Sequence, residues 1–237
     1  MSAAQAKAPV LVVAAHPDDE VLGCGGTIAR HAAAGRPVHI LILAEGATAR
    51  DAMRRVGKAR QAVAELRRAA RAAARALGAE PPRFAGLPDN RMDTLALLDV
   101  VKPIEAAVER LRPAIVYTHH GGDLNIDHRI AHAAVLTACR PLPGASVRRI
   151  HAFETLSSSE WAATAQHQAF QPSHFVDIEA TLAAKARALE CYASEMRPFP
   201  HARSHEAVMA LARWRGASVG LAAAEAFVVV RQVETAG

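Results

Sequence analysis

The sequence predicts one α/β domain, a mainly parallel, Rossmann-like sheet with helices on both faces. Three observations carry that expectation. Apolar runs rich in β-branched residues, at 10–15 and at Val38–Ala44, are too short for helices and apolar throughout, as buried parallel strands are. A segment of helical length lies between them, and a strand–helix–strand order with a short crossover implies parallel pairing and a right-handed connection. At 237 residues, with 51% hydrophobic but only 4% aromatic content, the chain can bury a full core closely packed with small side chains.

Taken in order, residues 1–8 read as a polar, alanine-rich tail, and the domain runs over 9–237 without repeats or a dividing linker. After the first strand, a helix is expected over 27–34, stopped by Gly35 and Pro37. Strand Val38–Ala44 leads through Glu45-Gly46-Ala47-Thr48, at the same sheet edge as His16, into an Ala/Arg-rich helix over 51–77 that Gly78 stops. A short strand follows at 83–86, then a polar loop with Asp89 and Asn90, then a helix over 95–111 that contains Pro103. Strand 114–117 precedes a helical pattern from Asp127 to about Arg140. Strands at 149–155 and 174–178, a helix over 179–195 and a helix over 206–215 come next. The last strand, 226–233, is expected at a sheet edge.

The first strand breaks without a spacer into His16-Pro17-Asp18-Asp19-Glu20. One imidazole and three carboxylates at the carboxyl end of a buried strand are costly in charge, and in open α/β sheets that edge is where ligands bind. Neutral imidazole and carboxylate suit a zinc-type ion, for which three protein ligands leave a position open for water. His16 and Asp19, across a turn stiffened by Pro17, can share one ion, while Asp18 projects elsewhere and can face the bound water. A cation also relieves the repulsion among adjacent carboxylates. The glycines at 23, 25 and 26 are read as allowing close backbone approach before the next helix. They do not fit the dinucleotide fingerprint, whose third glycine would fall on Ile28. The third ligand is sought in the His-rich stretch 117–132, where His128 opens a helix; His132, one turn on, reads as a packed or solvated helix residue.

These motifs resemble the PIG-L (LmbE-like) zinc-dependent deacetylases, which remove the N-acetyl group from amino-sugar conjugates. The family's A-H-P-D-D-E motif stands unaltered as Ala15 to Glu20, and its H-x-D-H motif appears as Asn125-Ile126-Asp127-His128. Further likeness runs through Gly86 to Asn90, Arg215-Gly216 and Ala224 to Phe227. By position, the resemblance implies His16, Asp19 and His128 as ligands of one Zn²⁺ (Fe²⁺ or Co²⁺ accept the same set) and Asp18 as general base. Asn125, His120 and Asp127 complete the expected catalytic set. Arg67, Asp89 and Asn90 are expected to bind the sugar substrate. Asn125 departs from the pattern: it can donate a hydrogen bond to an oxyanion but no proton at neutral pH. The acid is then His119, His120 or Asp18.

Composition excludes other classes. Three widely spaced cysteines, Cys24, Cys139 and Cys191, form no disulfide framework or zinc motif, which points to a reducing, cytoplasmic setting. The net charge of +5 and pI of about 9.6 come mostly from arginine, either on solvated helix faces or toward an anionic substrate. Nucleic-acid motifs are absent, no stretch approaches the roughly 18 apolar residues of a membrane span, and assembly into a homo-oligomer is left open. The expected activity is metal-dependent deacetylation of a small N-acetylated amino-sugar conjugate. The alternatives are a non-catalytic sugar-binding protein of the same fold, suggested by Asn125, and an amidase for a non-sugar conjugate.

Overall fold

Seven strands form one sheet in the order β3-β2-β1-β4-β5-β7-β6. The computed structural model describes residues 8–50, 56–162 and 169–234. The strands are β1 (Val10–Ala14), β2 (Val38–Ala44), β3 (Arg83–Leu87), β4 (Ile115–His119), β5 (Arg149–Phe153), β6 (His174–Asp177) and β7 (Ala224–Gln232). The first five run parallel; β7 is antiparallel to both β5 and β6. The helices are α1 (Asp19–Ala33), α2 (Val56–Leu77), α3 (Leu97–Leu111), α4 (Ile126–Ala138), α5 (Leu182–Cys191) and α6 (His205–Ala217).

The continuous apolar runs follow from burial on both faces. Val10, Val12 and Ala14 of β1 join one core with α1, α2 and α5, while Leu11 and Val13 join the other with α3 and α4. α2 buries Leu66, Ala70, Ala73, Ala74 and Leu77 and exposes Arg60, Arg68, Arg71 and Arg75, as its amphipathic spacing requires, with Arg67 half-buried between the two sides. The chain winds from β1 outward to β3, then crosses to β4 on the other flank of β1. The switch point of the sheet therefore lies between β1 and β4, and the His16–Glu20 loop and the His119–His128 segment leave their carboxyl ends side by side.

Several boundaries differ from expectation. α1 starts at Asp19, eight residues before the predicted Thr27, so Gly23, Gly25 and Gly26 lie inside a helix and approach side chains of the core, not a ligand. A Cβ on Gly26 would stand 2.8 Å from three Ile178 carbons, and one on Gly23 2.2 Å from the Phe153 ring. The helix kinks at Cys24, and the second half is recapped by Glu225, whose carboxylate accepts from Gly26 N (2.9 Å), Thr27 N (2.7 Å) and Lys185 Nζ (2.6 Å). β7 is an interior strand, not an edge, because the half-buried β6 pairs outside it. The predicted 179–195 helix is a 3₁₀ turn at Glu179–Thr181 followed by α5 alone. β4 extends to His119, two residues past the expected end. The expected tail falls mostly, and the start of the 51–77 helix wholly, outside the described residues. Among the described residues no helix is long and apolar enough to cross a membrane.

Away from the switch point, Tyr117 stacks on His151 (5.4 Å), His151 stacks on His174 (4.5 Å), and the Tyr117 hydroxyl lies 3.0 Å from His31 Nε2. Burial, reinforced by neighbouring cations, pulls His151 down to about 3 and His31 to about 4, and lowers His174.

Two outcomes are expected. Gly26→Ala gains helix propensity of up to ~1 kcal/mol but overpacks against Ile178 at a cost of ~1–3 kcal/mol, so the melting temperature falls. For the histidines, the unfolded chain binds protons from about pH 6.5 downward that the folded chain refuses, so their contribution is complete above that pH and lost as pH falls toward 4. His151→Phe keeps the stacking without titrating, and its melting temperature drops less than that of the natural chain between pH 7 and pH 5; calorimetry at the two pH values checks both variants.

Candidate metal centre

The segments that leave the carboxyl ends of β1 and β4 meet at one point. Asp19 Oδ2 lies 3.2 Å from His16 Nδ1, 3.3 Å from His128 Nε2 and 3.4 Å from His119 Nε2, and it accepts from His16 N at 2.8 Å. Asp19 Oδ1 is buried and has no partner among the described residues. Ligand atoms of His16, Asp19 and His128 all fall within 4.8 Å of one another. A second group, His16, Asp89 and Asp127, meets the same spacing. Its carboxylates are already engaged: Asp127 accepts from Asn90 N (2.7 Å) and Met92 N (3.0 Å), and Asp89 from Ala49 N and Asn90 Nδ2 (both 3.0 Å). The orphaned oxygen of Asp19 therefore favours the first group for a cation, and two imidazoles with one carboxylate are a donor set that a zinc-type ion accepts.

Each imidazole of that group is held from behind. His16 Nε2 is hydrogen-bonded to Asp127 Oδ2 at 3.0 Å, and His128 Nδ1 makes a 3.0 Å ion-pair contact with Asp123 Oδ1 outside hydrogen-bond geometry; the other nitrogen of each ring faces Asp19. Asp123 in turn accepts from the Ser158 hydroxyl and, at 2.5 Å, from Ser159. Carboxylate–imidazole pairs of this kind orient metal ligands and fix their tautomers.

The electrostatics suit a site built around a cation. Burial works against charge throughout, yet His128 is pushed up to about 9 by Asp19 and Asp123, and His16 is raised by Asp127 and Asp19. Against its own burial, Asp19 is held well below the usual carboxylate range by His128 and His16, and Asp123 down to about 2 by His128 and the two serines. His119 is kept neutral by burial and by His128; its Nε2 accepts from Ala15 N at 2.9 Å. A lone pair so used cannot ligate. His132 donates Nδ1–H to the His119 carbonyl (2.8 Å), the packing role expected of it.

Asp18 is buried, and its residue lies at φ 115°, the left-handed side. Burial raises its carboxyl well above the usual range, and Arg203 Nη1, 3.1 Å from Oδ2, offsets part of that. Asn125 caps α4: its Oδ1 accepts from Asp127 N and its Nδ2 donates to Asn90 Oδ1, both at 2.9 Å. Asp89 Oδ1 lies 3.3 Å from His16 Nε2, so Asp89 and Asn90 belong to the same cluster. His120 sets its ring edge-on to Phe170 at 5.3 Å; its neighbour His119 is the one that reaches Asp19. Arg67 stands apart, in a groove of about 500 Å³ lined by Glu45, Arg60, Arg67, Arg68 and Arg71, with its guanidinium 5.2 Å from the Phe84 ring. Gly46, next to Glu45 of that groove, packs on the turn of the motif, where a Cβ would stand 2.5 Å from Pro17.

Sequence alone gives four contributors no specific partner. Asp123 lies unassigned in the His-rich stretch, and Arg203 sits in the irregular segment that precedes the 206–215 helix. Ser158 and Ser159 read as an ordinary polar loop; only their contact with Asp123 gives them a role.

A mainly parallel sheet with histidines and aspartates meeting at its switch point defines an LmbE-like fold. The chain belongs to the PIG-L family: the family's sequence model, described as GlcNAc-PI de-N-acetylase, matches residues 11–139. A Mycolicibacterium vanbaalenii protein named 1D-myo-inositol 2-acetamido-2-deoxy-alpha-D-glucopyranoside deacetylase is 32% identical over 199 residues, covering 73% of this chain and 68% of its own. The chain spans about half the length of several other relatives of that name. Among solved structures, the conserved protein TT1542 from Thermus thermophilus is 28% identical with a TM-score of 0.72, covering 97% of both chains. GalB of Pseudomonas putida KT2440, a 4-carboxy-2-hydroxymuconate hydratase, is 25% identical with a TM-score of 0.76, covering 97% of this chain and 99% of its own.

Asp123→Asn leaves His128 without its carboxylate partner. Zinc affinity measured by competition with a chromophoric chelator is expected to fall about ten- to hundredfold. Unchanged affinity would remove Asp123 from the support of the centre.

Proposed function

We propose that this chain is a metal-dependent hydrolase that removes the N-acetyl group from an amino-sugar conjugate, with His16, Asp19 and His128 holding one Zn²⁺. The observation that carries the reading is Asp19, whose Oδ2 sits between the imidazoles of His16 and His128 while its buried Oδ1 has no partner among the described residues, with a further carboxylate behind each ring. When bound, the metal polarises the acyl carbonyl and lowers the pKa of a water toward about 7. Asp18 takes the proton of the attacking water and then returns it to the departing amine. Asn125 offers the oxyanion its second amide hydrogen, since the first is spent on Asn90. With His120 packed on Phe170, Asp18 serves as both base and acid. Asp127 acts by orienting His16. Asp89 and Asn90 line the sugar end, and Arg67 with its groove receives the aglycone.

A second reading is hydration of an unsaturated polycarboxylate. It is favoured by the four arginines that line the groove, a setting for carboxylates, and by the likeness to a hydratase of that substrate class.

The test is a panel of N-acetylated amino sugars (free, nucleotide-linked and lipid-linked) beside conjugated dienoic polycarboxylates, each with and without added zinc. Zinc-dependent acetate release from the sugars establishes the deacetylase. Loss of the dienoate absorbance without acetate release moves the assignment to the hydratase. Binding of a sugar without release would instead support a non-catalytic binder. In either enzyme, Asp18→Asn is expected to keep its zinc and lose about 10²- to 10⁴-fold in turnover; near-natural turnover in that variant removes Asp18 from the role of base.

A further inference from the structure

Asp18 stands on a backbone that a non-glycine residue rarely adopts, φ 115° and ψ −29°. Its carbonyl accepts from Val21 N and Leu22 N, and its amide is met by the third acid of the motif. Glu20 Oε2 accepts from Asp18 N at 3.1 Å, and Glu20 Oε1 accepts from the Tyr192 hydroxyl at 2.6 Å. Both side chains are shut from solvent, Glu20 at 1% exposure and Tyr192 at 0%. Tyr192 is the C-cap of α5 and lies 172 residues from Glu20, so the contact exists only in the folded chain. Packing alone gives no reason for it. A phenyl ring would fill the same space, and a buried carboxylate costs several kcal/mol unless its hydrogen bonds are supplied.

We propose that Glu20 and Tyr192 are positioning residues for the base. Tyr192 orients the Glu20 carboxylate, Glu20 locks the Asp18 amide, and the locked backbone carries the Asp18 side chain away from the His16, Asp19 and His128 ligand atoms. Arg203 anchors the other end of that side chain. This inference rests on Asp18 being the base.

The test compares Tyr192→Phe, Glu20→Ala and Glu20→Gln. Tyr192→Phe is expected to lower kcat about ten- to hundredfold, with KM and zinc content unchanged. Glu20→Gln still offers an oxygen to Asp18 N and an N–H to Tyr192, so its kcat stays nearer the natural value than that of Glu20→Ala. In an Asp18→Asn background, Tyr192→Phe causes no further loss, because its effect passes through Asp18. An equal fractional loss in both backgrounds, or no loss in either, overturns the proposal. A crystal structure of Glu20→Ala separates this inference from the assignment of the base: Asp18 leaving positive φ upholds the lock even if the panel shows no turnover, and Asp18 keeping it refutes the lock.

Discussion

The structure depends on one carboxylate oxygen. Asp19 Oδ2 stands within 3.4 Å of three imidazole nitrogens from two non-adjacent stretches of chain, and it also accepts from its own loop. Such crowding is tolerable only where charges balance. Protons on His16 and His128 can supply the balance, which is why Asp19 is driven down and both histidines up. A divalent ion would take over that charge and displace those protons. Much of the surrounding architecture serves to hold the imidazoles to this one atom: Asp127 and Asp123 behind them, Ser158 and Ser159 behind Asp123, and the backbone of the Asp89 loop behind Asp127.

The sheet makes that convergence possible. Parallel strands all present their carboxyl ends at one edge, and the reversal of winding between β1 and β4 opens a crevice there. Ala15 N donating to His119 Nε2 across that crevice ties the two loops together at 2.9 Å. The same reversal sets α1 and α2 on one face and α3 and α4 on the other, so both faces of β1 are buried and the loop after it is held on a rigid strand. The close helix packing behind the loop comes from small residues: Gly23 and Gly26 let α1 rest on Phe153 and Ile178, and Glu225 restores the hydrogen bonds that the kink at Cys24 would leave open.

Two elements show where local reading fails. The glycine-rich stretch after Glu20 reads as a loop because three glycines in four residues disfavour a helix by roughly 1 kcal/mol each. Tertiary packing outweighs that preference, since only glycine lets the helix approach the sheet so closely. The C-terminal strand reads as an edge because nothing in its own residues records that the short, half-buried β6 pairs outside it. His119 and His120 are adjacent candidates with equal local claims. Strand alternation sends successive side chains to opposite faces, and register in β4 decides which one meets Asp19.

By itself, the sequence determined the buried parallel strands, the motif His16 to Glu20 at the end of the first, and a histidine at the head of a later helix. These are local facts: an apolar run is a strand wherever it sits, and clustered acids at its end need a countercharge. The tertiary structure alone decided which carboxylate backs which imidazole, that Arg203 meets Asp18, and that Tyr192 reaches Glu20 across 172 residues. Those pairings turn on distances of about an ångström between chain segments far apart in sequence, and only the packed sheet and its helices set such distances.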